Sequence, residues 1–282
     1  MEAAKVDIRS PFPWFGGKSA ASEIIWKRFG DVKNYVEPFA GSLAVLLTRP
    51  HWPFESTRTE TVNDADCYLA NFWRALQADP EAVAEFADWP VNEADLHARH
   101  LWLVNVAKDT VAKLRTDPEF YDAKIAGWWV WGICQWIGSG WCHHPEWEQR
   151  PHLGDAGMGV HRPSQQLPHL GNAGMGDLYE YFDLLASRLR RVRVCCGDWS
   201  RVCTRAVTYN AHGLTGVLLD PPYADEAGRK SDLYAVDSLT VAHAVRAWAI
   251  EQGSNPLMRI ALCGYEGEHE MPADWECVHW KA

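Results

Sequence analysis

The chain has 282 residues, of which 47% are hydrophobic and 23% are charged, proportions that are ordinary for a globular protein. Its 27 basic and 37 acidic residues give a formal net charge of −10, which argues against a protein that coats DNA by charge alone. No apolar run reaches the ~18 residues of a membrane span, and no apolar secretory signal is present at the N-terminus. The eight cysteines include no C-x-x-C pair, so we expect reduced thiols in a cytoplasmic protein without membrane association.

Helix and strand patterns alternate in the first part of the chain. Residues 19–30 are predicted to form a helix, residues 34–36 a strand and residues 43–47 a second helix. A second strand is predicted at 59–62, and the helix after it ends near Gln77. This alternation implies a parallel sheet with crossover helices.

The strand pattern is absent from the middle of the chain. Residues 80–137 are predicted to be helical and lead into a tryptophan-rich stretch at 128–141. Residues 138–176 are rich in Gly, Pro and His and are predicted to be loop. Within this loop the nine residues 151–159 recur almost unchanged as 168–176, which indicates a paired glycine-rich surface loop.

The alternation returns in the last third of the chain. Its predicted elements are a helix at 177–190, strands at 192–196 and 217–219, a helix at 238–252, a strand at 259–263 and a last strand near 276–280. The predicted architecture is therefore a sheet interrupted by an insertion.

Four predicted strands end in polar or special residues. These ends are Glu37-Pro38-Phe39-Ala40-Gly41, Asn63-Asp64, Gly197-Asp198-Trp199 and Asp220-Pro221-Pro222-Tyr223. In a parallel sheet they share the carboxyl edge, where ligands bind in open α/β sheets. An acidic residue there can bind ribose hydroxyls, although Asp64 and Asp198 could instead cap helices, and Phe39 and Trp199 could be core aromatics. No phosphate-binding glycine pattern follows the first strand, so we predict a nucleoside cofactor without a pyrophosphate.

The last of these ends suits an amino-bearing ring. Two consecutive prolines stop the strand, so the chain must turn there. The Asp220 carboxylate and the Pro221 carbonyl can each accept a hydrogen bond from an exocyclic amino group, and Tyr223 offers a ring for stacking. A plain strand-ending turn is the alternative.

Four motifs together resemble a known family. In order along the chain they are Pro13-Trp14-Phe15-Gly16-Gly17-Lys18, Val36-Glu37-Pro38-Phe39-Ala40-Gly41-Ser42, Val62-Asn63-Asp64 and Asp220-Pro221-Pro222-Tyr223. They resemble the Dam-like (D12 class, alpha group) adenine-N6 DNA methyltransferases. The resemblance implies an α/β, Rossmann-like methyltransferase domain at 1–78 and 177–282, with an inserted target-recognition region of helix and loop at 79–176. It also implies a double-stranded DNA substrate in a bacterial or phage-infected cell, and it leaves the oligomeric state open between monomer and dimer.

The resemblance also implies a role for each matching residue. S-adenosylmethionine would be bound by Trp14, Lys18, Glu37, Phe39, Gly41, Asp64 and Asp198, with Trp14 and Lys18 at its methionine end. Asp220 and Pro221 would hold N6 of a flipped adenine, followed by Pro222 and by Tyr223, which would stack on the base. Catalysis would then be positioning and electrostatics, without a metal or a covalent intermediate.

Contacts to DNA are expected from the insertion and from a basic cluster after it. Ser139 and Trp141 are predicted to contact DNA, although Trp141 and the tryptophans at 128–136 could instead be core residues. Arg188, which lies in the cluster Arg188, Arg190, Arg191 and Arg193, is predicted to contact DNA as well. The run Cys142-His143-His144 lacks the ligand spacing of a zinc site, so no metal is predicted.

This interpretation carries one departure from the family pattern and leaves two alternatives open. The Asn-Arg-x-Gly-like element found in many Dam-like enzymes is absent, so the target sequence cannot be transferred from the family. The same fold could methylate cytosine N4, which is also an exocyclic amine. A catalytically silent DNA-binding relative is the alternative from another functional class.

Overall fold

The structure is a computed structural model that describes residues 8–14, 16–53, 58–90, 92–117, 119–136, 141–142, 177–222 and 241–280. The repeats at 151–159 and 168–176 lie outside these ranges, as do Ser139 and Tyr223. Within the described part, no helix combines the length and the apolar character that a membrane span needs.

A five-stranded parallel sheet forms the centre of the protein. Its strands are β1 (Asn34–Glu37), β2 (Thr59–Asp64), β3 (Val192–Cys196), β4 (Thr215–Leu219) and β5 (Met258–Leu262). Their order across the sheet is β3-β2-β1-β4-β5, so β1 has β2 on one side and β4 on the other. Every residue of β1 and β4 is buried, as expected for a parallel sheet that is covered on both faces. The predicted Rossmann-like α/β fold is confirmed.

Helices connect and cover these strands. They are α1 (Ser22–Phe29), α2 (Ala44–Leu47), α3 (Cys67–Ala78), α4 (Pro80–Ala87), α5 (Glu93–Trp102), α6 (Lys108–Val111), α7 (Ala123–Gln135), α8 (Asp177–Leu189) and α9 (Val241–Gln252). A π-helical turn at Leu103–Ala107 joins α5 to α6.

Alternate strand residues belong to two different core clusters. Tyr35 and Leu218 pack with residues of α1, α3 and α8 in one cluster, whereas Val36 and Val217 pack with residues of α9 in the other. Because successive strand residues point to opposite faces, helices cover both sides of the sheet.

The helices of residues 80–136 extend the first of these clusters. Phe12 lies at the junction, with its ring centroid 5.6 Å from that of Phe72 in α3 and 5.1 Å from that of Trp129 in α7. Helices α4 and α7 approach so closely that a Cβ on Gly127 would lie 2.4 Å from Phe86 Cβ. The helical part of the predicted insertion therefore shares its apolar core with the sheet.

The prediction of a last strand near 276–280 is wrong. These residues make no strand pairing, so β5 is the edge strand in the part of the chain that the structure describes. The Glu276 carboxylate instead accepts a hydrogen bond from Arg28 of α1 at 2.6 Å, and Trp280 packs partly against the core. Side-chain contacts of the segment with α1 and the core therefore replace backbone pairing with β5.

Candidate active site

A cavity lies at the carboxyl edge of the sheet, where the strand order reverses. Strand β1 leads to its neighbour β2 on one side, while β4 lies on its other side, and ligands bind at such switch points in open α/β sheets. The ends of β1, β2, β3 and β4 contribute Glu37, Asp64, Asp198 and Asp220 to its wall. The sheet thus brings together the four strand ends that the sequence singled out.

The side chain of Asn63 ties three of these strand ends together. Its amide nitrogen donates to the Pro38 carbonyl at 3.0 Å and to the Gly197 carbonyl at 2.9 Å. Asn63 is 1% exposed, so these hydrogen bonds form away from solvent. Asn63 was not predicted to have a role in the site, although its place beside Asp64 at the end of a strand was a visible signal.

Asp64 organises the backbone around the cavity. One carboxylate oxygen accepts from the Gly41 N–H at 3.1 Å and the other from the Asp66 N–H at 3.0 Å. The helix-capping role considered for Asp64 belongs instead to Asp66, which accepts from the Tyr68 N–H at the start of α3. Asp66 also lines the cavity, and sequence reasoning missed it, although an Asp directly before a predicted helix was a visible signal.

Gly41 is required because Trp14 lies against it. The backbone of Gly41 has a φ of 47°, in the left-handed region, and a Cβ there would lie 2.5 Å from Trp14 Nε1. The Gly41 carbonyl accepts from Trp73 Nε1 at 3.1 Å, which anchors this turn to α3. The indole of Trp14 can therefore form a wall of the cavity directly beside the Gly41 backbone.

Phe39 and Trp199 form an aromatic wall. Their rings are stacked, with centroids 6.3 Å apart and planes inclined by 26°, and both side chains are half-buried. Asp198 is exposed and accepts from the Ser200 N–H at 2.9 Å, so it does cap a short 3-10 helix (Trp199–Val202). It lines the cavity in the same position, so the two interpretations of Asp198 are compatible.

An ion pair closes one side of the cavity. Lys18 Nζ donates to Asp220 Oδ2 at 2.6 Å and to the Gly16 carbonyl at 2.5 Å. Lys18 is 4% exposed, whereas Asp220 is 21% exposed and faces the cavity together with Pro222. Pro221, which lies between Asp220 and Pro222 in the sequence, is buried. The proposed amine-holding turn therefore opens onto the cavity that the other strand ends form.

Burial changes the charge of two carboxyl groups on the wall. Burial raises the pKa of Glu37 to about 8, although a hydrogen bond from the Tyr35 hydroxyl at 3.0 Å opposes this shift. Burial and the neighbouring Asp64 carboxylate raise the pKa of Asp66 to about 7. At neutral pH the wall therefore carries less negative charge than its composition implies.

The residues on the wall suit a nucleoside better than a phosphate. Among the described residues that line the cavity, five are Asp or Glu and one is a Lys, whose ammonium is paired with Asp220. Phosphate sites use arrays of backbone N–H groups and basic side chains. Aromatic faces with carboxylates suit stacking, hydroxyl groups and a cationic centre instead. The donor set therefore fits S-adenosylmethionine.

Comparison with known proteins agrees with this geometry. Residues 14–100 match the family of D12 class N6 adenine-specific DNA methyltransferases. The resemblance drawn from the sequence motifs is thereby confirmed for this segment, which contains Trp14, Lys18, Glu37, Gly41 and Asp64. Members of this class transfer a methyl group from a methyl donor.

A relative is found in Escherichia phage P1, where the protein is described as a DNA N-6-adenine-methyltransferase. The two are 28% identical over 106 residues, which is 36% of this chain. The match covers 13% of the length of the phage protein.

Two of the residues predicted to contact DNA are core residues. Trp141 is 6% exposed, donates from Nε1 to the Trp129 carbonyl at 3.0 Å and lies against Gly132. Arg188 is 2% exposed and donates two hydrogen bonds to the Glu60 carboxylate, at 2.7 and 2.9 Å. The local sequence shows an aromatic and a basic cluster, but the tertiary fold packs Trp141 against α7 and pairs Arg188 of α8 with Glu60. The third predicted residue, Ser139, lies outside the described ranges.

No metal site is evident in the residues that the structure describes. No three His, Cys, Asp or Glu side chains are grouped there as ligands. Cys142 is buried, while His143 and His144 fall outside the described ranges.

Proposed function

We propose that this protein is an S-adenosylmethionine-dependent DNA methyltransferase that methylates N6 of an adenine flipped out of double-stranded DNA. One observation carries the proposal: Asp220, at the end of β4, lies on the wall of the same cavity as Glu37, Asp64 and Asp198. The match of residues 14–100 to the D12 class supports it. Action in the cytoplasm of a bacterial or phage-infected cell is part of the proposal.

The methyl donor would be held by residues at the carboxyl ends of β1, β2 and β3 and by the turn that contains Trp14 and Lys18. The proposed residues are Trp14, Lys18, Glu37, Phe39, Gly41, Asp64 and Asp198. Phe39 and Trp199 supply aromatic surface, while Asp64 and Asp198 supply carboxylates for hydroxyl and amino groups. When bound, S-adenosylmethionine supplies a methyl group activated by a positively charged sulfur.

The target base would be held by the turn after β4. N6 of an adenine inside a duplex cannot be reached, so the base must leave the helix. The Asp220 carboxylate and the Pro221 carbonyl each accept one N6 hydrogen, which directs the nitrogen lone pair away from the ring. Tyr223, carried over from the motif, is proposed to stack on the base, next to Pro222.

Lys18 would act on the position of Asp220. Its ammonium lies 2.6 Å from Asp220 Oδ2 and is held by the Gly16 carbonyl, so it fixes the carboxylate at the cavity edge. Positioning of the acceptor before the base arrives lowers the barrier, because no reorganisation is then needed. In this proposal Lys18 is a positioning residue as well as part of the cofactor pocket.

The reaction is tested with purified full-length protein, unmethylated double-stranded DNA and methyl-labelled S-adenosylmethionine. Nucleoside analysis of the DNA is expected to give N6-methyladenine. N4-methylcytosine as the sole product would show that the protein methylates cytosine and not adenine. Binding of the cofactor without transfer to any DNA would identify a silent relative.

The role of Asp220 is tested by Asp220→Ala, with Asp274→Ala, a change at an exposed position, as the matched control. Asp220→Ala is expected to lower methyl transfer by about 100-fold or more, because it removes one of the two N6 acceptors. Binding of S-adenosylhomocysteine, measured by calorimetry, is expected to persist. Transfer at the wild-type rate would overturn the assignment.

A further inference from the structure

Two cysteines outside the proposed catalytic machinery lie side by side. Cys67 is the first residue of α3 and Cys196 is the last residue of β3, and their sulfur atoms are 3.5 Å apart. Cys196 pairs with Asp64 in the β2–β3 ladder, and the chain turns after Asp64 into α3. The turn at the end of β2 thus brings Cys67 back to the neighbouring strand.

The surroundings of this pair favour a thiolate on Cys67. The N-terminus of α3, a helix of 12 residues, places partial positive charge there, and the guanidinium of Arg115 lies beside both sulfurs. Arg115 is itself held by the Ala65 carbonyl at 3.1 Å. A hydrogen bond from Cys196, together with Arg115, lowers the pKa of Cys67 below that of an ordinary thiol.

The two sulfurs differ in access. Cys67 is half-buried, whereas Cys196 is buried with Ala70 and Leu114. The hydrogen bond to Cys67, together with burial, raises the pKa of Cys196, so Cys196 retains its proton. An accessible thiolate beside a protonated partner is the arrangement of a reactive cysteine with a resolving cysteine.

We propose that Cys67 and Cys196 form a peroxide-sensitive dithiol that closes to a disulfide. The Cys67 thiolate attacks hydrogen peroxide, breaks its O–O bond and becomes a sulfenic acid, while hydroxide leaves. The Cys196 sulfur then attacks the Cys67 sulfur, and the S–O bond breaks as the S–S bond forms. The Cys196 proton and the sulfenic hydroxyl leave as water. The two thiols are oxidised and the peroxide is reduced.

Closure requires only a local movement. A disulfide has a sulfur–sulfur distance of about 2.05 Å, so the sulfurs need to approach by about 1.5 Å. The cross-link would join the end of β3 to the start of α3, next to Gly197 and Asp66 on the cavity wall. The modification itself does not depend on the proposed methyltransferase function.

The experiment uses the full-length chain with Cys277→Ser, a change that removes an exposed thiol and with it a route to intermolecular disulfides. The protein is treated with equimolar hydrogen peroxide, alkylated under denaturing conditions and mapped by peptide mass spectrometry. A cross-link between the peptides of Cys67 and Cys196 is expected. Recovery of both as alkylated thiols, with peroxide unreacted or consumed elsewhere, would overturn the proposal.

Three variants separate the steps. Cys196→Ser is expected to accumulate a sulfenic acid at Cys67 that dimedone traps, and Cys67→Ser is expected to leave Cys196 reduced. Arg115→Gln is expected to slow oxidation of Cys67 by about 3- to 10-fold, because the thiolate loses its neighbouring cation. Oxidation of Cys196 in Cys67→Ser at the wild-type rate would refute the order of the two steps. Should a variant fail to fold, the peptide map of the Cys277→Ser protein still decides whether the disulfide forms.

Discussion

The ammonium of Lys18 lies 2.6 Å from Asp220 Oδ2, across 202 positions of the chain. This pair joins the glycine-rich N-terminal turn to the turn after β4. It brings Lys18, proposed to line the cofactor pocket, into contact with the carboxylate proposed to hold N6. The two motifs that lie farthest apart in the sequence therefore meet on the same side of the cavity.

Lys18→Gln is expected to lower the kcat of methyl transfer by about 10- to 100-fold, because a carboxylate displaced by a fraction of an ångström holds N6 less well. Lys18→Arg keeps the charge and is expected to recover part of the loss. Lys27→Gln, at an exposed position of α1, is the matched control. Steady-state kinetics decide the role: an increase in KM for the cofactor with kcat unchanged would assign Lys18 to cofactor binding alone.

Glu37 is expected to make the folded state less stable as the pH rises. Its pKa is about 8 in the folded protein and near 4.5 in the unfolded chain, so between these values the folded state holds more protons. The stability that Glu37 contributes is complete below pH 4.5 and is lost as the pH rises through 8. In Glu37→Gln, the fall in the free energy of unfolding between pH 6 and pH 8 is expected to be smaller by on the order of 2 kcal/mol.

Urea unfolding at a series of pH values measures this effect. Glu251→Gln, at an exposed position of α9, is the matched control and should retain the wild-type slope. Equal slopes in Glu37→Gln and wild type would show that Glu37 is already ionised at neutral pH. Asp66, whose pKa is about 7, adds a slope of the same sign that remains in both proteins.

Arg188→Met is expected to destabilise the protein by about 1–3 kcal/mol, because the buried Glu60 carboxylate loses the two hydrogen bonds that Arg188 donates. Glu60 would keep only Arg49, whose Nη1 lies 3.0 Å from Glu60 Oε1. Arg190→Met, two residues later and exposed, is expected to leave stability unchanged. Chemical unfolding and DNA binding are measured on both variants. A loss of DNA affinity in Arg188→Met at wild-type stability would restore the prediction of a DNA contact.

Gly132→Ala is expected to destabilise the protein by about 1–3 kcal/mol, because the packed core around α7 has no room for another methyl group. The added Cβ would lie 1.9 Å from Cζ2 of Trp141, so side chain or helix must move. When Trp141 is replaced by Leu, Gly132→Ala should lower the free energy of unfolding by less. A double-mutant cycle of unfolding free energies measures this difference. If the destabilising effects of Gly132→Ala and Trp141→Leu simply add, Trp141 does not contact Gly132 in solution.

Much of the fold followed from local patterns. The strand at 192–196 and the helix beginning at 177 were predicted at the observed positions, since hydrophobic periodicity depends on neighbouring residues. The strand near 276–280 was wrong because pairing with a sheet edge depends on distant contacts, here those of Glu276 with Arg28 and of Trp280 with the core. Asn63 was missed as a site residue for a related reason, since its amide donates to carbonyls at the ends of two other strands. Asp66 is different, because its cap of α3 is a local feature that the sequence already indicated.

The sequence by itself determined which strand ends carry reactive groups and that a parallel sheet would gather them at one edge. The sequence shows directly where prolines end strands, where glycines allow turns and in which order the motifs occur. Only the tertiary structure decided the partner of each charge. It set Lys18 against Asp220 at the cavity, and it buried Arg188 and Trp141, which local patterns had placed on DNA. Burial and pairing depend on which distant surfaces pack together, and that information is not contained in any single segment.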